Sequence, residues 1–159
     1  MARTYRRWGS VGVSVVRRLD HVAIVVRSTD KALRFYHDRL GLRVQSSEEI
    51  DSPQARLTYL DTGNGYLQLV EPLDPASPLA VWLEEHGEGL HHICFGVDDV
   101  AEAVTAISDP GSTIALGNGR GRPSSFVTVS DSNGVRIECT EFNRAEDVDA
   151  SPGWLDGTR

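Results

Sequence analysis

The stretch "LDHVAIVV" at residues 19–26 occurs a second time, with changes, as "LHHICFGV" at residues 90–97. The two stretches align without a gap, and each has a histidine at its third position followed by residues that are common in buried strands. A repeat at this distance predicts two copies of one folding unit. The residues that follow each copy therefore decide which fold is expected.

Both copies are followed by the same order of predicted elements. A polar turn leads into a helix with apolar residues at helical spacing, which Ser28 or Asp30 can cap in the first copy and Asp98 or Asp99 in the second. Three short strand candidates follow in each copy, and the last two flank a turn, "DTGNG" in the first and "SDSNG" in the second. Each copy thus predicts a β-α-β-β-β module.

The predicted modules make up one domain with a tail at each end. The chain has 159 residues, which is the length of a single domain. The predicted boundaries are 1–18 for an N-terminal tail, 19–71 for module one, 72–89 for a linker helix, 90–142 for module two and 143–159 for a C-terminal tail.

The linker and the N-terminal tail have features of their own. Ser77 and Pro78 are typical of a helix start, and Gly87 is typical of its end. The first 18 residues contain five arginines and no acidic residue, as a transit peptide can. A poorly ordered tail or an extra first strand is the simpler interpretation.

Composition argues against several classes of partner. The formal net charge of -7 disfavours nucleic acid, whose phosphates require a basic protein surface. No apolar run approaches the roughly 20 residues that span a membrane. Cys94 and Cys139 lie in apolar, strand-like runs without zinc-type spacing, which indicates reduced, buried thiols in a cytoplasmic protein. The sequence therefore predicts neither nucleic acid nor a membrane as a partner.

Four residues that can ligate a metal occupy matching positions in the two modules. His21 and His92 lie 71 positions apart in the opening strands, and Gln68 and Glu138 lie 70 positions apart in the closing strands. The nitrogen and oxygen atoms of these side chains can all bind a divalent cation. Each residue alone is unremarkable, but together the matched positions predict one metal site.

Strand alternation places these residues on the less bulky face of each strand. Side chains two positions apart share a face, so Ala23 and Val25 accompany His21, whereas the larger residues between them point the other way. By the same rule His91 is expected to face away from the site and to be structural or to support the ligands. His92 is the predicted ligand of the doublet.

Two β-α-β-β-β modules with His and Gln or Glu in each resemble the vicinal oxygen chelate superfamily, which includes glyoxalase I, extradiol dioxygenases and bleomycin-resistance proteins. Within it, "LDHVAIVV", "LQLVEPLDPASPLAVWLEEHGEGLHHICFGVDDV" and "GVRIECTE" look most like the methylmalonyl-CoA epimerases. The likeness covers about residues 19–142 and is most specific from Leu67 to Val100.

This resemblance implies an α+β fold in which the two modules form an open, barrel-like eight-stranded sheet around one metal ion. The family's ligands fall on His21, Gln68, His92 and Glu138, and Glu138 is also implied as a catalytic acid or base. The ion would be Co, Mn, Ni or Zn. The implied reaction removes and returns a proton alpha to the thioester of methylmalonyl-CoA or a related acyl-CoA, and a homodimer is the expected assembly.

The sequence departs from the epimerase pattern at the second acid. In some members that acid lies on the strand corresponding to residues 55–60, but "ARLTYL" contains no carboxylate. The nearest carboxylates are expected to be solvated loop charges: Glu48, Glu49, Asp51 and Asp61. The substrate-binding residues stay unassigned.

A second departure leaves alternatives open. The segment "GNGRGRP" at 117–123 is either a flexible basic loop that meets an anionic substrate or a plain connection, and the residues after it lack the "HPK"-like signature of these epimerases. An epimerase or isomerase of another ketone or of a sugar-derived substrate is therefore an alternative. So is a non-catalytic, resistance-type binding protein.

Overall fold

The computed structural model describes residues 14–142, in which eight strands and three helices are found. None of these helices is long and apolar enough to cross a membrane. In chain order the elements are β1 (Val16–Val25), α1 (Thr29–Tyr36), β2 (Arg43–Asp51), β3 (Gln54–Asp61), β4 (Tyr66–Pro72), α2 (Pro78–His86), β5 (Gly89–Val97), α3 (Val100–Ile107), β6 (Gly117–Gly119), β7 (Arg122–Phe126) and β8 (Ile137–Glu141).

All eight strands form one sheet in the order β2-β3-β4-β1-β5-β8-β7-β6. The opening strands β1 and β5 pair antiparallel at its centre, and each pairs in parallel with the closing strand of its own module, β4 or β8. The sheet curls into a nearly closed barrel. The predicted α+β fold of two modules and eight strands is thereby confirmed.

The two edges of the sheet approach each other at the barrel opening. In the turn between β6 and β7 the backbone amide of Arg120 donates a hydrogen bond to Glu48 Oε1 on β2, at 2.7 Å. Residues 117–123 form a tight β-hairpin in which Gly119 pairs with Arg122, so a hairpin takes the place of the flexible loop that was one of the two alternatives. The hairpin brings the edge of module two over the edge of module one.

The hairpin that closes module two has a longer connection than predicted. β7 ends at Phe126 and β8 begins only at Ile137, so the two strands do not flank the predicted turn "SDSNG" directly. Asn133 and Gly134 have φ angles of 57° and 77°, so the predicted turn residues do adopt a left-handed turn. The turn lies inside a loop of irregular backbone instead of joining the strands directly.

Helices α1 and α3 cover the outer face of the sheet. Ser28 caps α1 by accepting a hydrogen bond from the amide of Lys31, and Asp99 caps α3 through the amide of Glu102. The helices pack on the larger residues that alternation assigned to the outer face, among them Val26, Leu67 and Leu69 under α1 and Val97, Ile137 and Cys139 under α3.

Helix α2 packs against the inner face of module one. Ser77 caps it, and it ends at Gly87, whose φ of 76° is in the range that glycine adopts most easily. Leu79 and Leu83 of this helix are buried in a cluster with Ala23, Val25, Ala55, Leu57, Tyr59 and Val70. The inner face of β1 thus changes from apolar beneath α2 to polar at His21.

Candidate metal centre and active site

Three of the four predicted ligands meet inside the barrel. The Nε2 atoms of His21 and His92 are 3.2 Å apart, and Glu138 Oε2 lies 3.4 Å from the first and 3.1 Å from the second. The histidines come from the central strands β1 and β5, and Glu138 comes from β8 beside β5. Matching positions of the repeat meet here because the matching strands are neighbours.

These spacings fit the ligand set of one divalent cation. Donor atoms bonded to a single ion at about 2.0–2.2 Å lie roughly 3.0–3.5 Å from one another. His21 and His92 are buried, and the side chain of Glu138 is 13% exposed. Two imidazoles and a carboxylate suit a transition metal such as Zn, Co, Ni or Mn. The donor atoms therefore fit the predicted kind of ion.

Gln68, the fourth predicted ligand, has a buried amide oxygen without a hydrogen-bond partner. Its Nε2 donates to the hydroxyl of Tyr59 at 2.6 Å, and the Tyr59 ring meets the His21 ring edge-on with centroids 5.6 Å apart. Gln68 thus lies beside the histidine cluster. Burying a carbonyl oxygen without a partner is costly, and a cation held by the cluster would supply that partner.

Asp20 holds the ring of His21, a role that was not predicted from the sequence. Its Oδ1 accepts a hydrogen bond from His21 Nδ1 at 2.8 Å, so Nε2 is the ring nitrogen that faces the cluster. Burial raises the pKa of the Asp20 carboxyl, but the bond from His21 and the charge of Arg120 bring that pKa below its usual value. Burial lowers the pKa of His21, but Asp20 and Glu138 together raise it above its usual value. The one signal in the sequence was a carboxylate beside a histidine in a buried strand.

The expectation that His91 faces away from the site is wrong, because β5 is irregular at this residue. Ala23 pairs with His92 but Ile24 pairs with Leu90, so His91 is an extra residue that has no partner on β1. Alternation fails at such a point, and His91 Nδ1 reaches His92 Nδ1 at 2.8 Å. The expected supporting role fits this contact, although the expected direction does not.

Arg136 determines where the protons lie in the His91–His92 pair. Its Nη1 donates to His91 Nε2 at 3.2 Å, and burial lowers the pKa of His91 to about 3, so the ring is neutral and carries its proton on Nδ1. That proton is donated to His92 Nδ1, which leaves the proton of His92 on Nε2, facing Glu138. A cation at this Nε2 would need the proton of His92 to lie on Nδ1 instead, a tautomer that the hydrogen bond from Arg136 to His91 disfavours.

Glu138 is ionised between the two histidines. Burial raises the pKa of its carboxyl, but hydrogen bonds donated by His21 and His92 bring that pKa far below its usual value. Cys94 lies opposite Glu138 in the β5–β8 register, and burial, helped by the Glu138 charge, raises the pKa of its thiol. Cys94 and Cys139 are both buried and free, as the sequence predicted.

A second carboxylate faces the barrel interior from β2. Glu48, expected as a solvated loop charge, lies directly opposite Leu57 in the β2–β3 register. Leu57 is buried in the inner cluster, and residues directly opposite each other share a face, so Glu48 points inward. Burial raises the pKa of the Tyr59 hydroxyl, the charge of Arg120 lowers it, and the charges of Glu138 and Glu48 both raise it. Two carboxylates from different modules therefore act on one inner residue.

The position of Glu48 corrects the prediction that all the nearby acids are solvated loop charges. Ser46, Glu48 and Ile50 are half-buried, whereas Ser47 and Glu49 between them are exposed. The sequence does not show this alternation, because residues 46 and 47 are both serine and residues 48 and 49 are both glutamate; it appears only in the strand that residues 43–51 form. Of the other acids, Glu49 and Asp51 are exposed and Asp61 pairs with Arg43 near the surface.

Known protein families supply an independent comparison. The family model of the glyoxalase/bleomycin resistance protein/dioxygenase superfamily matches residues 20–129. The chain belongs to this superfamily. The matched residues begin in β1, just before His21, and end shortly after β7. They therefore include the proposed ligands His21, Gln68 and His92.

Within the superfamily the chain is similar to methylmalonyl-CoA epimerases, as its motifs predicted. The uncharacterized protein YqjC of Bacillus subtilis is 32% identical over 130 residues, which cover 79% of this chain and 93% of YqjC. The ethylmalonyl-CoA/methylmalonyl-CoA epimerase of Cereibacter sphaeroides is 30% identical over 78% of this chain and 97% of its own length. A variant of the Streptomyces coelicolor methylmalonyl-CoA epimerase, in complex with 2-nitronate-propionyl-CoA, matches with a TM-score of 0.71 at 31% identity and covers 79% of this chain and 97% of its own.

Proposed function

We propose that this protein is a metal-dependent epimerase that inverts the carbon alpha to the thioester carbonyl of an acyl-CoA. The observation that carries the proposal is the presence of Glu48 and Glu138 on the inner face of one barrel that also contains the histidine pair. Inversion needs one group to remove a proton from one face of the carbon and another to return a proton to the opposite face. Carboxylates supplied by different modules suit that division of roles.

The cation would be held by His21, Gln68, His92 and Glu138. Bound there, a divalent cation supplies electrostatic stabilisation for the negative charge that develops on the thioester oxygen when the alpha proton leaves. Asp20 keeps the His21 lone pair directed at the site. The unpaired oxygen of Gln68 supports its assignment to this group.

Glu48 and Glu138 would transfer the protons. Glu138 directs Oε2 at both histidines, and its other oxygen is the one that we assign to proton transfer. Glu48 is held through Oε1 by the amide of Arg120, which fixes the carboxylate without neutralising its charge. For one epimer the first carboxylate would take the alpha proton while the other group, starting in its protonated form, returns one; the two groups would exchange protonation states with each inversion and exchange roles for the other epimer.

Methylmalonyl-CoA is the substrate that we propose first. The relatives from Cereibacter sphaeroides and Streptomyces coelicolor are named for methylmalonyl-CoA, and the first also for ethylmalonyl-CoA. Both compounds have an acidic carbon between a thioester and a carboxylate, which matches the chemistry of the site. We further propose a cytoplasmic homodimer, which size-exclusion chromatography with light scattering can test.

An inversion assay with a single epimer tests the proposed reaction. The protein is stripped with a chelator, reloaded with Co or Mn, and incubated with one epimer of methylmalonyl-CoA or of ethylmalonyl-CoA. We expect conversion to a mixture of both epimers, and loss of that activity when the chelator is present. Metal-loaded protein that inverts neither compound would refute the acyl-CoA proposal and favour another ketone substrate or a binding role.

Elemental analysis tests the cofactor separately. Protein purified without a chelator should contain Co, Mn, Ni or Zn at close to one ion per chain. Negligible metal, together with no activation by added Co or Mn, would refute the metal dependence.

A further inference from the structure

Arg120 occupies a turn position that disfavours arginine. Its φ is 55° and that of Gly121 is 68°, so both central residues of the two-residue β6–β7 turn are in the left-handed region. Turns of this kind favour Asn, Asp or Gly, because most other side chains strain the backbone there. A strained residue persists only where the surrounding structure holds it in place.

The Arg120 side chain reaches from module two into module one. Its guanidinium carbon lies 4.6 Å from the ring centroid of Tyr59 and 4.7 Å from that of Tyr66. Its Nη2 donates a hydrogen bond to Oδ1 of Asp20, a residue that is 0% exposed. A planar guanidinium that lies over aromatic rings and meets a carboxylate fixes the direction of that carboxylate closely.

The contact with Asp20 links Arg120 to a metal ligand. Oδ1 of Asp20 accepts hydrogen bonds from both Arg120 and Nδ1 of His21. Arg18 also approaches Asp20, but its Nη2 lies 4.0 Å from the other oxygen. We propose that Arg120 is a positioning residue for His21, because by fixing Asp20 it keeps the imidazole turned with Nε2 toward the cation site. This inference rests on the proposed function, since it concerns the site of the cation.

The hairpin backbone is placed for this role as well. A Cβ atom on Gly119 would lie 3.3 Å from the hydroxyl of Tyr59, so the strand before the turn passes directly over that residue. The amide of Arg120 bonds Glu48 at the same time. The β6–β7 turn therefore contacts both Asp20, which holds the ring of His21, and Glu48, the second carboxylate.

A double-mutant cycle on cobalt affinity tests the inference. Arg120→Asn places a residue favoured in this turn and removes the contact with Asp20. Isothermal titration with Co²⁺ should show roughly tenfold weaker binding for Arg120→Asn, the size of effect expected when the support of a metal-bound histidine is lost. In an Asp20→Asn background the same change should have no further effect, because Arg120 acts through Asp20. Unchanged affinity, or an equal loss in both backgrounds, would overturn the inference.

Controls separate this role from general effects of losing an arginine. Arg43→Met removes an exposed arginine that pairs with Asp61, and it should leave cobalt affinity unchanged. If Arg120→Asn does not fold, Arg120→Lys replaces it in the cycle, because lysine keeps the charge but lacks the planar fork. We then expect Arg120→Lys to bind cobalt more weakly than the native protein, and we expect no such loss in the Asp20→Asn background. Unchanged cobalt affinity in Arg120→Lys would overturn the inference.

The cycle also distinguishes failure of this inference from failure of the proposed function. Native protein that binds no cobalt refutes the cation site itself. Native binding together with an unaffected Arg120→Asn variant refutes only the role of Arg120. No substrate is needed for either result.

Discussion

The Nε2 atoms of His21 and His92 lie 3.2 Å apart, although 71 residues separate them in the chain. Each histidine belongs to the opening strand of its module, and those strands are neighbours at the centre of the sheet. Glu138 Oε2 completes a compact set of donors with them. The proposed cation site follows from this meeting of two equivalent strands.

Replacing His92 should remove most of the metal affinity. Because His92→Ala deletes one of the proposed ligands, cobalt binding should weaken by at least about 100-fold, the upper end of the loss seen for supporting residues. Titration calorimetry measures this directly. The control is His37→Ala, since His37 is exposed in the chain after α1 and should not affect binding. Near-native affinity in His92→Ala would remove His92 from the ligand set.

Replacing Glu48 should separate proton exchange from inversion. Glu48→Gln keeps the shape of the side chain but cannot accept a proton, so inversion should slow by at least about 100-fold. Cobalt affinity should be unchanged, because Glu48 is not among the proposed ligands. Exchange of the alpha proton with solvent should persist for the epimer that Glu138 serves.

The neighbouring residue provides a matched control for this variant. Glu49 is exposed on the other face of β2, so Glu49→Gln should change the rate by no more than about twofold. Native inversion by Glu48→Gln, or equal losses in both variants, would exclude Glu48 as the second acid.

Replacing Arg136 should strengthen metal binding. Arg136 donates to His91 Nε2 and so favours the tautomers that place a proton on the proposed ligand atom of His92. Arg136→Met removes that preference. Because the preference rests on one hydrogen bond, its loss should make cobalt binding roughly fivefold tighter. In a His91→Phe background the same change should have no effect, because the link between the residues is lost. Weaker binding by Arg136→Met would contradict the tautomer assignment.

The half-buried His91 should make the metal-free protein sensitive to acid. Burial lowers its pKa in the folded state to about 3, against about 6.5 for an unfolded histidine. Between these values the unfolded chain binds more protons, so His91 makes the folded protein less stable as the pH falls from about 6.5 to about 3.

Chemical denaturation with a chelator present, measured across that pH range, tests this contribution. His91→Phe keeps a ring against Trp82 but does not titrate, so its stability should fall less steeply with decreasing pH than that of the native protein. Equal slopes would show that His91 does not stay neutral in the folded protein.

The fold could be predicted from the sequence because the internal repeat determines the order of the strands and helices. Two copies of one module required equivalent strands at His21 and His92, and their pairing at the centre of the sheet brings the candidate ligands together. The caps at Ser28, Asp99 and Ser77 were also predictable, because they depend on side chains next to the helix start.

Residues whose roles depend on tertiary contacts were not predictable in this way. Glu48 faces inward because it belongs to strand β2, where it lies opposite the buried Leu57. His91 turns toward His92 because strand β5 is irregular at this residue. Arg120 reaches Asp20 across 100 residues only because the barrel edges meet. None of these three placements follows from alternation or spacing within a single segment.

Solvent deuterium exchange at the alpha carbon of methylmalonyl-CoA tests the central claim most directly. Native protein loaded with Co or Mn is incubated in D₂O with each epimer in turn, and deuterium at the alpha carbon is followed by NMR or mass spectrometry. The two-carboxylate site predicts metal-dependent incorporation from either epimer, accompanied by inversion. Cobalt-loaded protein that incorporates no deuterium from either epimer would contradict the claim that this site deprotonates an acyl-CoA.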